Sequence, residues 1–352
     1  MKKGILNYTK NELKELLNNI DIPKFRADQI FIWIYRYGKC SFSHMTNLSK
    51  TLQDQLDKEF YIYRPRISNV LESADGTLKF LLELEDKNAI ETVFIPEIRP
   101  QLNNSKKWNR ATVCVSSQVG CSVGCKFCNT GYNGFIRNLS VEEIISQFLI
   151  VKDYLKLWDS EDRLSNIVFM GMGEPLFNYE NVLKSIENLM SDEDEGLSRR
   201  KITLSTSGIS SVLLKIAKDI PCRLAISLHA PNDGIRSPIM PINNIYNVAS
   251  IIDACEEYTK YHEYLKITIE YLLLKGINDS KDCAKELVKL IRKLNAKVNL
   301  LQFNSWNGCQ FEPSDQKSVN EFSEILKNAG IETTFRARRG EDIMAACGQL
   351  AT

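Results

Sequence analysis

The sequence predicts an α/β protein: a partial barrel of six βα units, preceded by a small domain of helices and a β-hairpin. Three observations carry the prediction. From Ala111 onward, short runs rich in β-branched residues alternate with helical patterns, which implies a parallel sheet with right-handed crossovers. Ahead of them, helix-period stripes give way to strand patterns around an Asp-Gly turn. Motif-bearing polar residues fall where the barrel's strand patterns stop, the end at which such sheets hold their ligands.

Leu13, Leu16, Leu17 and Ile20 form one apolar stripe, and Ile30, Phe31, Trp33, Ile34 and Tyr35 a broader one, so the chain reads as helical up to residue 60. ISNVLE, the turn signal Asp75-Gly76 and TLKFLLELE make a hairpin, and AIETVFIP continues its sheet. Residues 1–98 are thus expected to form an accessory domain. The stretch RPQLNNSKKWNR, 99–110, holds Arg99, Lys106, Lys107 and Arg110 without an acid and reads as a basic linker. The barrel is expected over 111–340, with strands ATVCVSS, NIVFM, KITLST, CRLAISL, LKITIEYLLL and KVNLLQF. The helices that follow them lie near 140–157, 179–190, 210–218, 245–261, 281–294 and 315–329. Residues 341–352 remain as a C-terminal tail.

The 352 residues carry a net charge of +1, which excludes a globally basic polymer binder yet leaves room for a local patch that meets RNA phosphates. Lys106, Lys107, Arg110, Arg336, Arg338 and Arg339 are the candidates for such contacts. The N-terminal segment breaks its apolar positions with polar ones, unlike a secretory signal. No run approaches the roughly 18 apolar residues that span a bilayer. The ten cysteines are therefore expected in a reducing cytoplasm, where clustered thiols mean metal or catalysis.

CSVGCKFC spaces Cys121, Cys125 and Cys128 by four and three residues on one tight loop. Three thiolates suit a cubane, each holding one iron and leaving one iron open. Structural zinc wants four ligands, usually as two separated pairs, and no second CxxC or HxxxH follows. The spacing, with Phe127 before the last cysteine, is that of radical S-adenosylmethionine (SAM) enzymes and their 4Fe–4S cluster. Gly171-Met172-Gly173-Glu174-Pro175 follows the second barrel strand; its glycines let a ligand approach the backbone, and Glu174 can accept hydrogen bonds from an amino group. Ser205, Ser227-Leu228-His229 and Asn304 stand at three further strand ends, where an isolated polar residue is ordinarily a satisfied turn residue.

Cys347 lies five residues from the C-terminus in AACGQLAT, on a tail flexible enough to reach a site. Cys114, in the first barrel strand, reads on its own as a small buried hydrophobe, as do Cys40, Cys222, Cys255, Cys283 and Cys309. Glu91 interrupts AIETVFIP among apolar neighbours, which suits either a base with a raised pKa or an edge salt bridge.

ATVCVSSQVGCSVGCKFC, GMGEPL, TLSTSG, AISLHAPND and AACGQLA, in that order, resemble the RlmN family of dual-specificity RNA methyltransferases. The resemblance implies a radical SAM barrel, an accessory domain over 1–98 that binds RNA, and methylation of adenine C2, in 23S rRNA and in transfer RNA just 3′ of the anticodon. It implies that Cys121, Cys125 and Cys128 hold the cluster, and that Gly173, Glu174, Ser205, Ser227, Leu228, His229 and Asn304 bind SAM. Cys347 would carry the methyl group, with Cys114 as its disulfide partner and Glu91 as proton acceptor. Two SAM molecules are then used per turnover by a monomer fed by a reductase or flavodoxin. Against the related Cfr subgroup, which methylates C8, stand Pro175 after Glu174 and Val119 before Gly120. One departure is the loop QFNSWNGCQ, which lacks the prolines the family implies there. Two other classes compete: a non-catalytic RNA-binding protein with a structural metal loop, and a radical enzyme acting on a peptide, against which Cys347 and Cys114 argue.

Overall fold

The computed structural model describes residues 2–97, 108, 110–191, 197–219, 222–262, 264–336 and 338–351. Near the N-terminus β1 (Lys3–Gly4) leads to α1 (Lys10–Asn18), whose start is set by a capping box between Thr9 and Glu12. α2 (Phe25–Phe31) runs into a π-turn over Ile32–Arg36. α3 (Lys50–Glu59), capped by Ser49, ends at β2 (Phe60–Tyr61), the parallel partner of β1. Leu13, Leu17, Ile30, Ile34 and Leu56 are at most 1% exposed, so the stripes legible in the sequence are the faces that pack.

β3 (Arg66–Glu72), β4 (Leu78–Glu83) and β5 (Ala89–Glu97) form the expected antiparallel meander. Its first turn holds Gly76 at φ 81, with the Asp75 carboxylate accepting the Thr77 amide at 2.9 Å. The meander continues into the barrel: β5 pairs antiparallel with β6 (Arg110–Cys114), setting Val93 opposite Cys114. β7 (Gln118–Gly120) and β8 (Phe135–Asn138) make a small ribbon around the cysteine loop and α4 (Asn129–Tyr132).

There follow α5 (Val141–Leu155), β9 (Asn166–Phe169), α6 (Tyr179–Met190), β10 (Ile202–Thr206) and α7 (Ser210–Asp219). Next come β11 (Arg223–Ser227), α8 (Asp233–Ile239), α9 (Val248–Tyr261), β12 (Ile267–Leu273) and α10 (Lys281–Ile291). β13 (Ala296–Gln302), α11 (Gln316–Asn328) and β14 (Thr333–Phe335) complete the chain's regular elements. The sheet runs β14-β13-β12-β11-β10-β9-β6-β5-β4-β3, parallel from β6 to β14. All six βα units of the sequence reading are present. β14 adds a seventh parallel strand, too short at three residues to show a period, and α8 is an extra helix between β11 and α9.

α5 is covered on both sides, by the sheet and by the N-terminal segment. Its eleven buried positions include Glu142, which accepts the Tyr61 hydroxyl at 2.9 Å, and Asp153 near its end pairs with Arg64 at 2.9 Å. Among the described residues, no helix is long and apolar enough to cross a membrane.

Candidate active site

β6 hands the chain to the site through buried polar anchors. Gln147 of α5 accepts the Ser116 amide at 2.7 Å and donates to its carbonyl at 2.9 Å. The Ser116 hydroxyl in turn donates to the Glu91 carbonyl at 2.6 Å. Ser116 and Gln147 are fully buried, so leaving any of these groups unpaired would cost on the order of 1–3 kcal/mol. In the cysteine loop, the Cys121 amide donates to the Gly134 carbonyl at 2.7 Å and the Cys128 amide to the Cys125 carbonyl at 3.1 Å. Trp306 closes the loop from outside, donating Nε1–H to the Phe127 carbonyl at 3.0 Å and packing on Tyr132 with ring centroids 5.5 Å apart. The proline-free loop after β13 is thus held by its tryptophan.

Cys121, Cys125 and Cys128 line a cleft of about 1020 Å³ together with Gly173, Glu174, Ser205, Ser227, His229 and Cys347. Burial raises all three loop thiols, Cys121 to about 12, and each is raised further by another cysteine. Such thiols ionise when a metal takes the proton's place. Among the described residues, no three His, Cys, Asp or Glu side chains converge on a point suited to one ion. Zinc would need that convergence. A cubane spreads its thiolates over separate irons, so the loop fits a 4Fe–4S cluster.

Gly173 has φ +96, and a Cβ there would lie 2.4 Å from the Gln118 Cβ, so only glycine makes this turn without strain. The turn aims Glu174 inward at 3% exposure. Its Oε2 accepts the Ser207 amide at 2.7 Å and hydroxyl at 2.8 Å, and Oε1 accepts the Leu176 amide at 3.0 Å. Burial raises its pKa against these hydrogen bonds. His229 Nδ1 accepts the Leu272 amide at 3.0 Å, which leaves the ring proton on Nε2. Burial, then the nearby Arg236 charge, lower the His229 pKa to about 3, so the ring is a neutral donor. Leu228 is fully buried and does not line the cleft; its carbonyl accepts Arg236 Nε at 2.9 Å. Asn304 lies off the main cleft; its amide donates to the Cys347 carbonyl at 3.4 Å and its buried Oδ1 has no partner.

The tail is seated rather than free. The Gly348 carbonyl accepts the Asn129 amide at 2.8 Å, and the Leu350 carbonyl accepts the Thr130 hydroxyl at 2.6 Å. Gln349 donates to the Ser305 carbonyl at 3.0 Å, and the Ala351 amide to Glu91 Oε2 at 2.8 Å. Cys347 is exposed yet fixed in the cleft lining. Buried Cys114 shares an adjoining pocket of about 570 Å³ with Cys347, Asn304 and Arg336. Both thiols are free, so the disulfide implied by the resemblance does not join them in this structure. Burial pushes Cys114 up to about 12, with Cys347 adding to the shift and Arg336 opposing it.

Glu91 is in a central strand, not at an edge. It forms a buried ion pair with Lys79 at 2.9 Å, and desolvation still raises its pKa. It sits outside the cleft lining, capped by the tail. Arg336, one of the residues expected on phosphates, lines the cleft and the hollow beyond it, where the nearby Cys347, Glu270 and Cys114 raise its pKa. Arg338 is held by Glu341 at 2.8 Å and Arg339 lies 3.8 Å from Asp75; Lys106 and Lys107 fall outside the described residues. Sequence reasoning misses Ser207, Arg236 and Glu270. Ser207 lies inside the motif TLSTSG and Glu270 is the lone carboxylate within LKITIEYLLL, whereas Arg236 left no signal.

Residues 3–62 match the ribosomal RNA large subunit methyltransferase N-terminal domain, and residues 115–291 match the radical SAM superfamily. A dual-specificity RNA methyltransferase RlmN of Gluconobacter oxydans is 42% identical over 356 residues, covering 100% of this chain and 86% of that protein. The RlmN of Buchnera aphidicola subsp. Schizaphis graminum is 44% identical across 99% of this chain and 94% of its own. The crystal structure of a radical SAM methyltransferase from Sphaerobacter thermophilus matches with a TM-score of 0.89 at 38% identity, over 99% of both chains. With likeness on this scale running the length of the chain, and with the cleft holding the cysteines described above, the chain belongs to the RlmN family of radical SAM RNA methyltransferases.

Proposed function

We propose that this chain methylates adenine C2 in 23S rRNA and in transfer RNA, at the adenine 3′ of the anticodon, with Cys347 as methyl carrier. The observation that carries the reading is the meeting of two unlike sets of thiols. Cys121, Cys125, Cys128 and Cys347 line one cleft, and Cys114 adjoins Cys347 in the next pocket. Adenine C2 is electron-poor, so it cannot attack a sulfonium methyl directly and needs a carbon radical. Cys121, Cys125 and Cys128 would hold the 4Fe–4S cluster, which would supply the electron needed to cleave SAM to a 5′-deoxyadenosyl radical.

Glu174 offers the methionyl amine an acceptor, and His229 offers a neutral Nε2–H. Gly173, Ser205 and Ser227 line the cleft beside them, the unpaired Asn304 Oδ1 lies in the adjoining pocket, and Leu228 belongs to the SAM-binding set by family resemblance alone. Cys347 takes a methyl group from one SAM, and that methyl gives up a hydrogen atom during turnover of a second. The methylene radical then adds to C2 and joins RNA to Cys347, and the adduct loses its C2 proton and its unpaired electron, the latter back to the redox centre that supplied the first. Glu91 is the proton acceptor, once the Ala351 amide lifts off its carboxylate. Cys114 attacks the Cys347 sulfur, the S–C bond breaks, and the released carbon ends as the methyl group. An external dithiol returns the new disulfide to two thiols, and a reductase or flavodoxin feeds the cluster. The chain acts as a monomer in this scheme.

Mass spectrometry of adenines from ribosomal and transfer RNA treated with the anaerobically reconstituted protein tests the reading. The expected product is 2-methyladenosine. Methylation at C8 would move the activity to the Cfr type, and unmodified RNA beside active SAM cleavage would overturn the proposal.

A further inference from the structure

Arg236, on α8, is 0% exposed, and its guanidinium donates to four backbone carbonyls and one side-chain amide oxygen. Nε donates to the Leu228 carbonyl at 2.9 Å. Nη2 donates to the Ser207 carbonyl at 2.6 Å and the Ser227 carbonyl at 3.2 Å. Nη1 donates to Asn243 Oδ1 at 2.9 Å and the Tyr246 carbonyl at 3.3 Å. The guanidinium has five N–H groups in a fixed fork, and five acceptors meet them.

Three of those acceptors lie at the ends of the neighbouring strands β10 and β11, where the sheet ladder has run out. Buried carbonyls there need a donor from elsewhere. The same peptides serve the cleft on their other side. Ser207 holds the Glu174 carboxylate through its amide and hydroxyl, while Ser227 and His229 line the cleft directly. The far end of α8 reaches the cysteine loop, since the Ile239 carbonyl accepts the Lys126 amide at 2.9 Å. One side chain therefore joins Glu174's support, the Ser227–His229 turn and the helix that braces the loop. A buried guanidinium is a costly way to fill a core; desolvation lowers its pKa to about 10. An apolar residue of similar volume would pack there at less cost, so the fork's geometry is what the position uses.

We propose that Arg236 is a positioning residue for SAM binding, holding the Ser207–Glu174 pair and the Ser227–His229 turn in register by spanning the ends of β10 and β11. The inference rests on the reading of those residues as the SAM-binding edge. Lysine cannot stand in, because a point charge with three donors has no fork to hold three carbonyls at once.

The test compares the wild-type protein with Arg236→Lys, Arg236→Met, Asn243→Ala and Tyr258→Phe, each reconstituted anaerobically. Iron content, thermal midpoint and SAM affinity by equilibrium dialysis without RNA are measured on all five. Both Arg236 variants should retain iron yet bind SAM roughly 10- to 100-fold more weakly. Asn243→Ala removes one anchor of the fork and should weaken SAM roughly 3- to 10-fold. Tyr258→Phe deletes a buried hydroxyl bonded to the Cys222 carbonyl at 2.8 Å, outside the fork's partners, and should lower the midpoint without moving SAM affinity. A folded Arg236→Lys that binds SAM within twofold of wild type overturns the proposal, as does an equal loss in Tyr258→Phe. If neither Arg236 variant folds, Asn243→Ala decides by the same criterion. Wild-type protein that holds iron but binds no SAM overturns the reading of the cleft itself, an outcome distinct from equal binding by wild type and variants.

Discussion

His229 shows how one residue's surroundings set its chemistry. It sits at φ 58, a left-handed conformation that asparagine also tolerates, and is 5% exposed. Burial first, then Arg236, lower its pKa from 6.5 to about 3. The unfolded chain therefore takes up this proton first on acidification. The stability His229 contributes is complete above pH 6.5 and is lost as pH falls from there towards 3. In urea denaturation at pH 7 and pH 5, the wild-type protein should lose about 2 kcal/mol more than His229→Asn. Equal losses would show that another group sets the acid limb. The two tail-side thiols offer a sharper contrast. Cys114→Ala should trap the protein on RNA through Cys347 as a band that survives denaturation, whereas Cys347→Ala and the double variant should give no band. Were Cys114 only a packed hydrophobe, its loss would cost at most a few kcal/mol and product would leave normally.

At the scale of elements, the turn after β9 carries more than its length suggests. Gly173 needs its positive φ, and any Cβ would strike Gln118, whose Oε1 accepts the Glu174 amide at 2.9 Å. Gly330, after α11, also has a positive φ of +79 but open space around it. Gly173→Ala should destabilise by about 2–4 kcal/mol and abolish SAM binding, while Gly330→Ala should cost about 1 kcal/mol and leave binding intact. Thermal melts and dialysis on both variants check this, and equal melting shifts would remove the steric argument. Glu91 makes a related point about strands. Alternation in AIETVFIP placed it among apolar neighbours, but only the pairing of β4 on one side and β6 on the other turns an edge salt bridge into a buried one.

Across the whole molecule, the starts of the parallel strands line a hollow of about 2190 Å³ that reaches the cleft through Met170, Glu270 and Arg336. Arg110, Arg200, Arg223 and Lys297 line it, so a chain of net charge +1 concentrates basic groups beside its site. RNA affinity should accordingly fall with salt. Arg223→Gln combined with Lys297→Gln should lower the slope of log affinity against log salt by up to about 2, near 0.9 per lost phosphate contact. An unchanged slope in filter-binding assays would make these solvated charges.

Local patterns were enough for the six βα units, the hairpin turn at Asp75-Gly76, the cysteine loop and the strand-end residues, because periodicity, turn chemistry and ligand spacing are written over a few neighbouring residues. Resemblance, not spacing, singled out Cys114 and Cys347, and the structure brings the two into one pocket. Other features belong to tertiary structure. Arg236 and Ser207 look ordinary in the sequence, since the carbonyls and carboxylate they serve arrive from other strands. Arg336 reads as a surface charge until β14 pairs with β13 and brings it to the thiols. The tail reads as free until Asn129, Thr130, Ser305 and Glu91 supply partners more than 40 residues away in sequence. A hydrogen bond between distant segments leaves no period in either one, so the sequence by itself determined the elements and the cluster loop, and only the fold decided which buried groups complete the site.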